Sequence, residues 1–319
     1  MKPFLLKPAL KDYIWGGNSL RAFGKVSAAD RIAESWELSC HPEGECRIAS
    51  GDFAGRTLTD FLREFPQAAG ENCRQFREFP MLVKLIDAHD ELSVQVHPDD
   101  AYAMAHGGGL GKTELWYIID AKPGAEILYG MKEPMSQADF QQSIEDNTLL
   151  DKLRHVPVRA GDVFFIPAGT LHAVGRGILL AEIQENSNTT YRVYDYGRGR
   201  ELHIAQALDV TNLRPVETEP LSRPARIDGW KAQHLSDCAY FYASLWETET
   251  QAEETWRFGG DTASFLHILV LDGSGALYTA DGDCLPLSKG TSLFIPAGSQ
   301  SGEIIGNLRF ITTEVYQEQ

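Results

Sequence analysis

The chain has 319 residues, 43% apolar and 23% charged, with 45 Asp and Glu against 29 Lys and Arg, for a formal net charge of −16. That balance argues against nucleic acid and anionic membrane as partners, since both are held by clustered Lys and Arg. No run approaches the roughly 20 apolar residues of a membrane span. Five scattered cysteines without a C-x-x-C pair argue against a disulfide framework and a thiolate zinc site, and Met1–Lys7 is too short for a signal peptide, which implies the cytoplasm.

From Met1 to about Gly55 the pattern is strand and turn, with Trp15-Gly-Gly17 as turn chemistry and Ala33–Leu38 and Cys46–Ser50 extended. Within the first of these, Glu34 and Trp36 are candidates for facing a pocket, although a half-buried strand residue is the reading favoured for a lone Trp beside acids. Leu58–Arg63 has helical apolar spacing behind Thr57 as a cap, and a second helical segment is expected between Glu71 and Phe79. Met81–Ile86 is apolar except for Lys84, whose ammonium must either snorkel out or line a ligand cavity. Leu92–His97 reads as a short strand stopped by Pro98, so Gln95 and His97 share a face, and Asp99 and Asp100 cap the following turn.

Lys112-Thr-Glu114 then opens an apolar strand-like run, and Phe164–His172 supplies a second imidazole after a sharp Pro-Ala-Gly turn. Gln95, His97, Glu114 and His172 together make an N/O four-ligand set that suits one divalent metal such as zinc. The other seven histidines lack such a setting.

Ala160–Thr170 recurs as Lys289–Ser299, an offset of 129 (289 − 160), and Asp120 matches Asp272 at an offset of 152, so the first copy carries 23 extra residues (152 − 129). A helical insertion at Ser136–Arg154, with Phe140, Ile144, Leu149 and Leu150 as its apolar stripe, accounts for them. Short strands with Gly-Asp and Pro-Ala-Gly turns favour antiparallel jelly-roll barrels. The fold expected is mainly β: two jelly-roll barrels with a few short helices, a metal-bearing module at 1–215 and a module without metal ligands at 216–319. The second copy has Ser301 at the position of His172 and Leu266 at that of Glu114, so the chemistry is expected in the first.

Gly-Asp-x-x-x-Ile-Pro-Ala-Gly-x-x-His resembles the second conserved motif of cupins. Leu92–Asp99, Lys112-Thr-Glu114, Pro167–His172, and Glu182 followed by Arg192 within Thr190–Asp195 resemble type I mannose-6-phosphate isomerases of the shorter bacterial kind. The resemblance implies one zinc per chain on Gln95, His97, Glu114 and His172, Arg192 as an essential residue, and a phosphorylated hexose as substrate.

Glu182 and Arg192 flank Asn186-Ser-Asn188 symmetrically, and a hairpin closed by Glu185 and Thr189 would set them opposite one another, Arg192 for oxyanion charge and Glu182 as acid/base. Lys112, Ser93 and Lys84 are candidates for facing the same cavity and touching substrate; Arg198 and Arg200 are phosphate candidates by charge alone, and a solvated loop is the expected setting of both. The competing readings are another metal cupin using iron or manganese, and a sugar-binding or regulatory cupin without catalysis.

Overall fold

The computed structural model describes residues 1–107, 109–217, 223–227, 229–248 and 254–316, with the side chain of Glu254 left aside. The chain is mainly β, with sheets of ten, six and five strands. Among the described residues the α-helices are short, four to nine residues each, and none is long and apolar enough to cross a membrane.

The six-stranded sheet runs in the spatial order Val163–Ile166, Glu114–Ala121, Ile178–Glu185, Met81–Ala88, Glu34–Leu38 and Ala9–Lys11, antiparallel throughout. Its central strands Met81–Ala88 and Ile178–Glu185 are buried on both faces, which is why they read as continuous apolar runs. One face, with Val83, Leu85, Leu115 and Ile183, packs with Phe4, Leu269, Leu271 and Ile311 of the ten-stranded sheet. The other, with Ile86, Trp116, Ile118 and Leu180, meets Ile127, Tyr129 and Val174 of the five-stranded sheet.

That third sheet orders Tyr191–Tyr194, Val94–Val96, His172–Val174, Glu126–Met131 and Leu153–Pro157. Its far side, Val94, Val96, Leu128 and Val193, is covered by Phe140, Leu149 and Ala207. The first two come from the expected insertion, which forms Gln137–Glu145 and Leu149–Lys152. The Ser136 hydroxyl accepts from the Asp139 amide at 3.1 Å to start it. Thr57 caps Leu58–Glu64 in the same way. Asp99 caps a helix, Asp100–His106, rather than only a turn, and the segment expected after Glu71 is a single 3-10 turn, Asn72–Gln75.

The repeat survives as strand register. Glu114 lies opposite Ile166, and Leu266 lies opposite Ile295, 129 residues after Ile166. Leu266 therefore stands where Glu114 stands. The N-terminal strand Phe4–Lys7 joins the ten-stranded sheet by pairing with Ser292–Ile295.

Candidate metal centre

Alternation along the strands puts polar side chains between the six- and five-stranded sheets. Across the first, Trp36, Lys84, Glu182 and Trp116 are successive cross-strand partners, with Glu114 one step along the same face. Across the second, Arg192, Gln95 and His172 are successive partners. The two rows share the space between the sheets, and His97 joins them just beyond the end of its strand.

His97, Glu114 and His172 are all buried and bring their ligand atoms within 4.8 Å of one another. His172 Nε2 is 3.3 Å from Glu114 Oε1 and His97 Nε2 is 3.6 Å from Glu114 Oε2. Each imidazole is oriented from behind, since Nδ1 of His97 and of His172 lies 2.8 Å from the carbonyl of Thr189 and of Thr170 respectively. A carbonyl only accepts, so Nδ1 carries the hydrogen and Nε2 turns its lone pair to the centre. Burial drives both rings towards the neutral form, His97 well below the usual range and His172 down to about 4. Glu114 Oε1 and His172 Nε2 have no hydrogen-bond partner among the described residues. Two neutral imidazoles, a carboxylate and orphaned buried lone pairs are a donor set that fits a divalent cation. Gln95, the cross-strand partner of His172, is oriented by Ser93, whose hydroxyl lies 3.2 Å from Gln95 Oε1.

Beside this cluster lies a cavity of about 280 Å³ lined by Ser93, Gln95, Lys84, Lys112, Glu182 and Arg192, with Tyr13, Trp15, Glu34, Asn188, Thr190 and Arg200 among the other walls. Lys84 does not snorkel out. It is 3% exposed, and its ammonium lies 3.1 Å from Glu182 and 3.9 Å from Glu34. Lys112 Nζ donates to Glu114, lies 3.2 Å from His97 Nε2 and is 3.7 Å from Glu182. Burial opposes a charge on Glu182, but Lys112, Lys84 and the Trp116 indole outweigh it and hold that carboxyl down to about 2. Arg192 reaches the Ser93 hydroxyl through Nε at 3.2 Å and donates from Nη1 to the Glu201 carbonyl at 2.9 Å.

The structure corrects three expectations. Glu182 and Arg192 are not a hairpin pair: Ile178–Glu185 has both edges taken, by Met81–Ala88 and Glu114–Ala121, so no further strand can pair there. Asn186–Thr190 instead crosses between sheets, anchored by Asn186 N to the Pro80 carbonyl at 2.8 Å and Ser187 Oγ to the Leu110 carbonyl at 2.9 Å, and Arg192 pairs opposite Gln95. Trp36 is fully buried rather than half-buried, its indole donating to Glu34 at 2.6 Å, while Glu34 itself reaches the cavity wall. Arg200 is no solvated loop residue: with Arg198 it clamps the buried Asp195, and it lines the cavity. Only its charge in a Gly-rich loop could have signalled this.

A mainly β chain carrying a buried His/Glu/His cluster beside a polar, lysine- and arginine-rimmed cavity has the make-up of a metalloenzyme for a small anionic or hydroxylated substrate. The family model for the type I phosphomannose isomerase catalytic domain matches residues 4–148, and that for the mannose-6-phosphate isomerase cupin domain matches 231–315. The chain is 37% identical to the mannose-6-phosphate isomerase of Streptococcus mutans over 98% of each chain. It is 36% identical to the mannose-6-phosphate isomerase ManA of Bacillus subtilis over 93% of this chain and 94% of that one. The crystal structure of the mannose 6-phosphate isomerase from Bacillus subtilis superposes with a TM-score of 0.91 at 35% identity, covering 98% of this chain and 99% of that chain. The chain belongs to the type I mannose-6-phosphate isomerase family.

Proposed function

We propose that the chain interconverts mannose 6-phosphate and fructose 6-phosphate through an enediol, with one zinc held by Gln95, His97, Glu114 and His172. The observation that carries the reading is the buried triad whose two imidazoles are both fixed from behind by backbone carbonyls, leaving Nε2 aimed inward. Zinc, when bound, supplies Lewis-acid polarisation of a sugar carbonyl. Everything else falls to side chains. Arg192, set by Ser93 and the Glu201 carbonyl, stabilises oxyanion charge on the sugar. Glu182 serves as acid/base for the C1–C2 proton shift, and because two ammoniums clamp it, it becomes an effective base only when substrate draws Lys84 or Lys112 away. Lys84, Lys112 and Ser93 contact substrate oxygens from the cavity wall.

The same reading assigns the fold to two cupin-type barrels, 1–215 and 216–319, with Phe4–Lys7 lent to the second, and locates the protein in the cytoplasm. It is supported by the 129-residue offset that persists in strand register and by Leu266 in place of Glu114. The test is a coupled assay of fructose 6-phosphate conversion before and after removing metal with a chelator, then after adding back Zn²⁺, Fe²⁺ or Mn²⁺ separately. Loss of turnover and recovery with zinc is expected; undiminished turnover in the metal-free protein would overturn it.

A further inference from the structure

The second repeat keeps a cavity where the first has its metal centre. It measures about 370 Å³ and opens beside Leu266 and Ile295, the counterparts of Glu114 and Ile166, and beside Ser299, the counterpart of Thr170. Its walls are of a different chemistry. Trp246 and Trp256 meet edge to face at 5.4 Å, and the Phe258 ring lies 6.4 Å from that of Trp256 with the planes 29° apart. The Trp246 indole is fixed by its hydrogen bond to Thr312 Oγ1 at 3.1 Å. Glu314 and Asp261 line the same cavity.

We propose that this cavity is a second binding site, for a neutral monosaccharide. The size is at the small end of the roughly 300–1,000 Å³ that accommodates small ligands. Aromatic faces suit the C–H face of a pyranose, and carboxylates suit its hydroxyls. A phosphorylated sugar is disfavoured: two carboxylates face the space, and the one cation lining it among the described residues, Arg257, is paired with Glu303 at 3.0 Å. The Glu314 carboxyl has no side-chain hydrogen-bond partner among the described residues and so remains available to a hydroxyl; burial, with Asp261 adding, pushes it up to about 7, which lets it donate as well as accept.

The experiment is calorimetric titration of the whole chain with D-mannose and with D-glucose while mannose 6-phosphate saturates the first cavity. Saturable binding of one neutral sugar per chain is expected. Trp256→Ala should weaken it about three- to tenfold, the value of one lost stacking contact. Trp256→Phe should largely retain it and Glu314→Gln should weaken it, all with isomerase turnover unchanged, which also reports that the variants fold. Absence of saturable binding to the wild type would overturn the proposal, as would affinity unmoved by both Trp256→Ala and Glu314→Gln, or mannose 6-phosphate itself titrating to two per chain.

Discussion

Replacing Glu182 by Gln tests the electrostatics of the cavity most sharply. Gln keeps the volume and an acceptor for the Trp116 indole, which lies 3.0 Å from Glu182 Oε2, and removes only the charge. Lys84, 3% exposed, then loses the carboxylate 3.1 Å from its ammonium and is left with Glu34 at 3.9 Å. Breaking a buried pair from one side costs about 3–5 kcal/mol, and the residual partner places the expected loss at the low end, about 3 kcal/mol. Adding Lys84→Met removes the stranded charge, so the double variant should be more stable than Glu182→Gln alone by about 2 kcal/mol. Urea denaturation at pH 7, with m-values compared, measures both. A loss under about 1 kcal/mol for the single variant, or a further loss on adding Lys84→Met, would refute the assignment of this pair as a buried, mutually dependent charge couple.

Arg192→Ala should abolish turnover in the coupled assay while leaving metal content unchanged, because Arg192 touches Ser93 rather than the triad; wild-type turnover would contradict its role. Stability should also carry an acid slope from His267. This imidazole is buried between the Ser292 and Thr313 hydroxyls, and burial, with Lys25 adding, lowers it to about 3. The unfolded chain binds a proton there below about pH 6.5 while the folded chain does not. Its contribution is therefore complete above that pH and is lost as pH falls through the window toward 3. Comparing urea midpoints at pH 7 and pH 5, His267→Asn should show a smaller drop than the wild type, and equal drops would count against the assignment.

The sequence shows the candidate ligand residues because each sits on a local signal. Strand alternation aligns Gln95, Pro98 ends the run beside His97, and the Pro-Ala-Gly turn delivers His172. The repeat gives the contrast with Leu266 and Ser301 without any structure. What it hides is non-local. Asn186-Ser-Asn188 looks like a hairpin turn, and only the occupation of both edges of Ile178–Glu185 by strands from distant sequence makes it a crossover. The outcome for the pair is nevertheless close to the expected one, since Glu182 and Arg192 reach the same cavity from two different sheets. Arg200 and Tyr13 are cavity residues for the same reason: their loops are brought there by pairings that no nearby residue announces.

The account rests on three buried side chains sharing one cation, and metal content is its most direct measure. Elemental analysis of the purified chain should give close to one zinc per chain for the wild type and close to none for His172→Ala and for Glu114→Gln. Equal zinc in the wild type and both variants would contradict it.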